Sequence, residues 1–368
     1  MTQKSKFLSF KHFRYAPEKD FWLHLYSMST DSNKIITAGL LAYGMSGKVF
    51  HAPFLDAHKG FNLKAIVERS KKNAVNDYPT VTSYNSVDEL LNDEEIELVV
   101  VNTPNNLHYE HSKAALTKGK NILVEKPFTA TSAQAQELFE LADKVGKQII
   151  FYQNRRWDSD FTSIKKVLSS GKLGKLNEMH LRYDRYRNVI GPKAFKEQAI
   201  EASGLLYDLG PHLLDQVISL FGKPISYHKI LGKNRVGTEV DDYFNIQLTY
   251  PESIFVFVTA SMLVVNAQAA FVLHGVNGSF IKQRADIQEE QLLAGMKLID
   301  DGYGIEPKGK EGLLTTIDAD GNKTEEIIPS EVGSYLPLFD AAYKALTHQQ
   351  PYPVKREDVL LQLEILES

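Results

Sequence analysis

The sequence predicts an α/β protein in which a doubly wound parallel sheet is followed by an α+β domain with an open, mainly antiparallel sheet. The length of 368 residues is enough for two domains, since a typical domain has about 150 residues. Short β-branched runs alternate with helical stretches in the first part of the chain, which is typical of βαβ units. Longer alternating segments follow after Trp157, and they indicate antiparallel strands.

The first domain is assigned to residues 34–155. Its predicted strands are Ile35–Leu41, Leu63–Val67, Leu98–Val101, Asn121–Val124 and Gln148–Phe151. The intervening helices are predicted from about Ser46, into Asp77, over Leu107–Lys118 and over Ala133–Val145. The continuous apolar run Leu98–Val101 is typical of a strand that is buried on both faces.

The second domain is assigned to residues 156–368. Its alternating segments include Glu178–Arg187, Tyr243–Tyr250 and Ile254–Val264, which are separated by turn signals such as Tyr250-Pro251 and Asn277-Gly278. The segment Pro351–Ser368 is predicted to form a terminal strand and helix that pack on either domain.

The composition excludes several classes of protein. The formal net charge of −4 offers no basic field for a polyanion, so nucleic acid is not expected as a partner. The absence of cysteine excludes disulfides, thiolate metal sites and cysteine nucleophiles, and it fits a cytoplasmic protein. The apolar runs are broken well short of the roughly 20 residues that span a bilayer, so no membrane partner is expected.

Residues 1–33 precede the first predicted strand and carry neither a continuous apolar signal region nor a twin arginine. Phe7, Phe10 and Phe13 recur at a spacing of three, which leaves open a short amphipathic helix. We expect this segment to be an extension outside the fold or the product of a misassigned start.

A glycine-rich turn joins the first predicted strand to the next helix. Gly44 and Gly47 fit the last two glycines of a G-x-G-x-x-G pattern, in which Ala42 replaces the first. Backbone amides at such a turn suit the pyrophosphate of a dinucleotide. The predicted contacts are Tyr43, Gly44, Met45, Ser46 and Gly47, and the alternative is a tight turn that binds no ligand.

The end of the second predicted strand is the expected place for ribose recognition. Glu68 would suit a free 2′-hydroxyl, whereas Arg69 and Ser70, followed by two lysines, suit a 2′-phosphate. The cluster favours NADP, although Glu68 would permit NAD as well. The alternative is a solvated basic start of a helix.

Two more loops follow predicted strands at the carboxyl edge of the sheet, where doubly wound folds bind ligands. The first contains Thr103, Pro104, Asn105 and His108, and the second contains Glu125 and Lys126 before a proline. We predict that these six residues contact the cofactor. The first loop also reads as a plain capped helix start.

Asp208 and His212 lie four residues apart, and Pro211 indicates a helix that begins near them. Both side chains would then share one face. A histidine near neutral pH is a natural proton acceptor, and a neighbouring carboxylate can orient it. The alternative is a histidine with a purely structural place in the core, and no metal is expected because the pair lacks a third ligand.

The combination of these motifs resembles the glucose–fructose oxidoreductase/inositol dehydrogenase (Gfo/Idh/MocA) family, and most closely a branch with NADP-dependent scyllo-inositol dehydrogenases. The motifs that carry the resemblance are Ala42–Gly47, Thr103-Pro104-Asn105, Glu125-Lys126-Pro127, Asn154–Asp158 and Asp208-x-x-x-His212. The resemblance covers residues 34–368. It implies an N-terminal Rossmann domain, a C-terminal domain whose open sheet mediates a homodimer or homotetramer, and catalytic roles for Lys126, Asp208 and His212.

The resemblance further implies hydride transfer between a nicotinamide and a secondary alcohol on a cyclic polyol or sugar. Arg155, Arg156, Tyr183 and Arg185 are predicted substrate contacts, and strand alternation allows Tyr183 and Arg185 to share a face. For each of them the alternative is an ion-pair network between the domains. The rival functions are a non-catalytic NADP-binding sensor, and a dehydrogenase of the same fold that acts on a nucleotide sugar or a dihydrodiol.

Overall fold

The computed structural model describes residues 34–192 and 194–368, and within them the strands form one six-stranded and one eight-stranded sheet. The predicted extension, residues 1–33 with its candidate amphipathic helix, lies outside the described residues. No helix in the described ranges is both long and apolar enough to cross a membrane.

The six-stranded sheet is parallel throughout and has the strand order β3-β2-β1-β4-β5-β6. Its strands are β1 (Ile36–Leu40), β2 (Phe61–Val67), β3 (Thr82–Tyr84), β4 (Leu98–Val101), β5 (Asn121–Val124) and β6 (Ile149–Phe151). The predicted doubly wound sheet is therefore confirmed. The strand order reverses between β1 and β4, which opens a crevice at the carboxyl ends of these two strands.

Helices cover both faces of this sheet. They are α1 (Ala52–Ala57), α2 (Ala74–Asp77), α3 (Val87–Leu91), α4 (His108–Thr117) and α5 (Ser132–Val145), with a π-helical turn at Gly47–His51 and 3₁₀ turns at Asn105–Leu107 and Asn154–Trp157. Helix α5 shows why the boundaries fall where they do. The Thr131 side chain accepts a hydrogen bond from the Gln134 amide, and Gly146 ends the helix in a left-handed conformation with φ of 66°.

The eight-stranded sheet has the order β14-β13-β12-β11-β7-β10-β9-β8, and only β7 and β10 pair in parallel among these described strands. Its strands are β7 (Leu176–Asp184), β8 (Ser226–Gly232), β9 (Tyr243–Tyr250), β10 (Ile254–Ser261), β11 (Phe271–Gly275), β12 (Gly278–Lys282), β13 (Gly312–Ile317) and β14 (Lys323–Ile328). The predicted, mainly antiparallel second sheet is confirmed.

The helices of the second half pack largely on one face of the eight-stranded sheet and on the first domain. They are α6 (Ser159–Ser170), α7 (Ala194–Glu197), α8 (Gly204–Phe221), α9 (Gln288–Leu293), α10 (Leu336–His348) and α11 (Arg356–Glu367), with a further 3₁₀ turn at Pro251–Ser253. Met179 and Leu181 of β7 are buried in the same core as Leu209 and Leu213 of α8. The core-facing side of β7 therefore lies under α8.

The predicted start of a helix near Pro211 is wrong, because α8 begins at Gly204 and contains Pro211 in its interior. A proline inside a helix removes one hydrogen bond, here the one to the carbonyl of Tyr207, and opens the preceding turn. The neighbouring carbonyl of Asp208 instead accepts a hydrogen bond from Lys126 Nζ at 2.6 Å. The proline thus lies in the same helical turn as the backbone oxygen that binds Lys126, at the point where the two domains meet.

The C-terminal segment binds the two domains together. Phe339 of α10 stacks on Phe54 of α1, with ring centroids 5.2 Å apart, while α11 packs against α8 and α5. The predicted terminal strand is wrong, because no strand occurs between α10 and α11. Pro351 and Pro353 in this stretch lack the amide hydrogens that a ladder requires.

Candidate active site

The turn after β1 is held closed by Asn102, which follows β4. The Asn102 side chain accepts from the Ala42 amide at 3.0 Å and donates to the Ala42 carbonyl at 2.8 Å. A Cβ at Gly47 would lie 2.2 Å from the Ala42 carbonyl oxygen, so this position requires glycine. The methyl group of Ala42 fits beside these two hydrogen bonds, and the turn closes although alanine replaces the first glycine of the pattern.

Gly44 is a glycine for a different reason. A Cβ at Gly44 would meet no atom within 4 Å, so the protein itself does not demand glycine there. Open space above a backbone amide at a βα turn is what the close approach of a pyrophosphate needs. Met45 lies beside it and is 46% exposed, while the hydroxyl of Tyr43 donates to Asp77 at 2.7 Å.

Glu125 connects this turn to the end of β5. Its Oε1 accepts a hydrogen bond from Ser46 Oγ at 2.7 Å and lies 2.9 Å from His51 Nε2. Burial would raise the pKa of Glu125, but the contacts with His51 and Ser46 outweigh burial and lower the pKa to about 2. Glu125 is therefore a buried carboxylate that positions Lys126, its neighbour in the chain.

Glu68 at the end of β2 turns away from the crevice. Its carboxylate accepts from the amides of Asn73 and Ala74, at 2.9 and 3.1 Å, and from the hydroxyl of Ser83 at 2.9 Å. Arg69 and Ser70 are exposed beside it. Three of the roughly four lone pairs of the Glu68 carboxylate are thus already used, whereas the donors that would suit a 2′-phosphate face solvent.

The loop after β4 is fixed mainly by His108. The two ring nitrogens of His108 lie 2.7 Å from the Pro127 carbonyl and 2.8 Å from the Thr103 carbonyl. This buried ring ties the two predicted cofactor loops together. Pro104 precedes the 3₁₀ turn, and Asn105 donates to the carbonyl of Ala202 at 3.0 Å, which links the loop to the second domain.

Lys126 reaches across the domain boundary to Asp208. Besides its bond to the Asp208 carbonyl, Nζ lies 3.2 Å from Oδ1 of the same residue. Burial lowers the pKa of Lys126, and the Asp208 carboxylate opposes that change. Asp208 also accepts from Lys196 Nζ at 2.6 Å and lies 3.7 Å from Arg185 Nη1. Against the cost of burial, these charges hold the pKa of Asp208 far below its usual range.

His212 lies one helical turn beyond Asp208 and is 6% exposed. Its Nδ1 atom is buried and has no hydrogen-bond partner among the described residues. Burial, together with the charges of Lys126 and Arg155, lowers the pKa of His212 well below its usual range, so the ring is neutral at pH 7. Asp208 contacts lysines rather than this ring, which favours a role in holding cations or a hydroxyl over a role in orienting His212.

Tyr183 and Arg185 share the face of β7 that looks toward α8, as strand alternation predicts. Arg182 and Asp184 form an ion pair with each other, at 3.0 Å. The guanidinium groups of Arg155 and Arg185 lie 5.4 and 4.7 Å from the centroid of the Tyr183 ring. These three predicted substrate residues are thus brought together near His212.

Arg156 points elsewhere. It forms a two-pronged pair with Asp215, at 2.7 and 2.8 Å, and donates to the Pro353 carbonyl at 2.7 Å. With its fork occupied and the side chain buried, Arg156 holds the 3₁₀ turn against α8 and the C-terminal segment. The geometry favours the ion-pair alternative for this residue.

Four further residues at the site were not found from the sequence. Asn102 acts through two hydrogen bonds to Ala42, and His51 through its contact with Glu125, and only the folded turn creates these contacts. Lys196 and Arg284 come from segments with no recognisable motif. Asn102 alone had a usable signal, since it directly precedes Thr103 at the carboxyl end of a buried strand.

These observations fit a dinucleotide. The space above Gly44, the amides of the turn, and the exposed Arg69 and Ser70 are the groups that a bound NADP would use. Among the described residues no group of three or more His, Asp or Glu side chains could hold a metal ion.

Comparison with known proteins gives a consistent result. The model of an oxidoreductase family with an NAD-binding Rossmann fold matches residues 36–153, and that of the family's C-terminal α/β domain matches residues 165–368. The scyllo-inositol 2-dehydrogenase (NADP(+)) IolW of Bacillus subtilis is 37% identical over 90% of this chain and 92% of its own. A solved protein from Bacteroides fragilis is 42% identical, with a TM-score of 0.82 over 91% of this chain and 96% of its own. An oxidoreductase from Bacillus cereus is 34% identical, with a TM-score of 0.83 over 90% and 95%.

Proposed function

Because this chain belongs to the Gfo/Idh/MocA oxidoreductase family, we propose that it interconverts a secondary alcohol and a ketone on a cyclic polyol or sugar, with NADP as its favoured cofactor. Membership makes the chain an NAD(P)-dependent dehydrogenase that acts on alcohols. The polyol class and the choice of NADP are the proposed parts.

The observation that carries the proposal is the contact of Lys126 with Asp208 across the domain boundary, one helical turn from His212. It combines a cation, a carboxylate and a neutral imidazole at the carboxyl edge of the nucleotide-binding sheet. A protein that only sensed NADP would have no chemical need for all three groups in one place.

The chemistry follows from the state of each group. Bound NADP would supply the hydride acceptor for oxidation and, when reduced, the hydride donor for the reverse reaction. His212, neutral and buried, would take the proton of the substrate hydroxyl. The Lys126 ammonium would stabilise the negative charge that develops on that oxygen, and Asp208 opposes the lowering of the lysine pKa by burial.

The preference for NADP is supported by the end of β2. Glu68 already accepts three hydrogen bonds, from Asn73, Ala74 and Ser83, which leaves little acceptor capacity there for the 2′-hydroxyl of NAD. A 2′-phosphate would meet the exposed Arg69 and Ser70.

We also propose a homodimer or homotetramer assembled through the eight-stranded sheet. Ile230, Phe255, Ile281 and Ile327 lie on the side of the sheet away from α8, and each is at least 41% exposed. Exposed apolar side chains on an open sheet face are typical of an interface. Light scattering would show a dimer or larger species, and a monomer would contradict this part.

Substrate screening tests the proposal. Reduction of NADP is followed with inositols, hexoses, nucleotide sugars and dihydrodiols, with NAD as the alternative cofactor. Turnover confined to polyols or sugars is expected. Turnover of a nucleotide sugar or dihydrodiol alone would contradict the proposed polyol or sugar substrate. Tight NADP binding with no turnover would favour a non-catalytic NADP-binding sensor.

A further inference from the structure

Three arginines converge on one aromatic ring beside the candidate active site. The guanidinium carbons of Arg155, Arg185 and Arg284 lie 5.4, 4.7 and 4.4 Å from the centroid of the Tyr183 ring. They come from the 3₁₀ turn after β6, the end of β7 and the segment after β12. We call these three residues the arginine cluster.

The arginine cluster is short of hydrogen-bond acceptors. Nη2 of Arg284 donates to the Arg182 carbonyl at 3.2 Å, but Nε and Nη1 are buried and have no partner among the described residues. Nε of Arg155 is likewise buried and has no hydrogen-bond partner among the described residues. A guanidinium has five donors and no acceptor, and leaving them buried without partners is costly.

Nearby carboxylates leave Arg284 without a direct ion pair. Asp158 and Glu289 lie 3.2 and 3.4 Å from Arg155, and Asp208, at 3.7 Å from Arg185, already holds Lys126 and Lys196. Within the described residues no carboxylate lies within ion-pair distance of Arg284. Arg284 also acts with Lys126 and Arg155 to lower the pKa of His212 after burial, so the positive field extends to the proposed base.

The ring alone does not account for the arrangement. Attraction between cations and an aromatic ring is weak next to a hydrogen-bonded ion pair, and three like charges around one ring repel each other. The guanidinium of Arg155 is the largest cause of the lowered pKa of Tyr183, with smaller effects from Arg185 and Arg284. The ring contacts therefore leave Arg284 without an anionic partner for its two free donor atoms.

The cofactor's phosphates are not that partner. In a doubly wound domain the pyrophosphate binds at the glycine turn, here residues 42–47, and a 2′-phosphate binds at the end of β2. Arg155, Arg185 and Arg284 follow other strands and surround the ring of Tyr183, a residue of the second domain. The missing anion is thus one that the substrate brings.

We propose that the substrate carries an anionic oxygen group, a carboxylate or a phosphate, which Arg284 and Arg155 bind while the reacting hydroxyl lies at His212. This inference rests on the proposed function and narrows its substrate class to acidic polyols or sugars. The anionic group takes no part in the bond changes: the carbinol hydrogen leaves as hydride to NADP, the hydroxyl proton goes to His212, and a ketone forms.

The test uses three compounds that differ only at C6: D-glucose, D-glucuronate and glucose 6-phosphate. We measure kcat/KM for NADP reduction with each, and the binding of both anions and of inorganic phosphate to the NADP-loaded protein by calorimetry. At least one charged hexose should exceed D-glucose by about tenfold or more, the factor expected for one charge-assisted hydrogen bond. The carboxylate and phosphate arms show which anion the site takes.

Variants of Arg284 identify the residue responsible. Arg284→Gln should raise KM for the charged hexose about tenfold or more and weaken its binding, while Arg284→Lys keeps the charge and should restore part of both. Arg356→Gln is the matched control, because Arg356 forms a surface pair with Asp143. Thermal melting establishes that each variant is folded.

The outcomes separate this inference from the proposed function. Turnover of D-glucose at or above its charged counterparts, or a charge preference that Arg284→Gln retains, overturns the inference and leaves the polyol dehydrogenase in place. No binding of any of the three anions at millimolar concentration also overturns it. Anion binding that depends on Arg284, without reduction of NADP by any sugar, supports the anion site and contradicts the dehydrogenase.

Discussion

Lys126 of the nucleotide-binding domain donates to both the carbonyl and the carboxylate of Asp208 in the second domain, at 2.6 and 3.2 Å. Burial lowers the pKa of this lysine, and the Asp208 carboxylate opposes that change. The charge state of Lys126 therefore depends on a residue in the other domain.

Asp208→Asn should narrow the pH range of activity. Without the carboxylate, burial lowers the pKa of Lys126 further, so the alkaline limb of kcat/KM should move down by about one to three pH units. The pH profile with a verified substrate measures this shift, and Asp143→Asn on the surface is the control. An alkaline limb that stays in place would show that Lys126 does not need Asp208 to remain protonated.

Alanine substitutions at Gly44 and Gly47 should have different effects, the first on NADP binding and the second on folding stability. Gly47→Ala places a Cβ 2.2 Å from the Ala42 carbonyl and should lower the melting temperature of the free protein. Gly44→Ala meets nothing within 4 Å, so the melting temperature should hold while the Kd for NADP rises about tenfold or more, since the methyl group occupies the space for the pyrophosphate. Unchanged NADP affinity in Gly44→Ala would place the dinucleotide elsewhere.

Arg69→Ala tests the choice of cofactor. Loss of a charge-assisted contact to the 2′-phosphate costs about 1.5–3 kcal/mol, so the Kd for NADP should rise roughly ten- to a hundredfold. The Kd for NAD should change little, and Lys118→Ala serves as a control on the surface of the same domain. Equal affinities of the wild type for NADP and NAD would contradict the preference.

Glu125→Gln should remove a part of the stability that depends on pH. The folded-state pKa of Glu125 is about 2, against an ordinary value of 4.5, so the unfolded state binds the proton more readily. The contribution, about 3 kcal/mol, is complete above pH 4.5 and is lost as the pH falls toward 2. Urea unfolding of wild type and Glu125→Gln should show a gap that shrinks over this window. A gap that does not change with pH would contradict the ionised state of buried Glu125.

The sequence predicted the fold class and five of the six strands of the parallel sheet, and it named several of the residues that the structure brings together at the candidate site. Buried parallel strands leave a continuous apolar run, and Leu98–Val101 and Asn121–Val124 appear with the bounds that were predicted. Lys126 comes just after a predicted strand, and His212 lies on a predicted helix, so both positions could be inferred from the sequence. Short motifs anchored to a predictable element are the ones that a sequence can place.

The features of the site that the sequence did not predict depend on contacts between distant segments. Glu68 has the residue type for ribose binding, yet three donors from residues 73, 74 and 83 hold its carboxylate. Pro211 indicates a helix start, but burial of α8 outweighs the lost hydrogen bond. Arg284 joins the site because β12 pairs beside β11, which no local pattern around residue 284 reveals.

Replacing His212 tests most directly whether this residue is the proton acceptor in alcohol oxidation. We would measure kcat/KM for NADP reduction by His212→Ala with the best polyol or sugar, in the presence and absence of added imidazole, together with the Kd for NADP. We expect a loss of about 10²–10⁴-fold in kcat/KM, partial restoration of kcat/KM by imidazole, and a nearly unchanged Kd for NADP. A variant that keeps near wild-type kcat/KM without imidazole would contradict this role of His212.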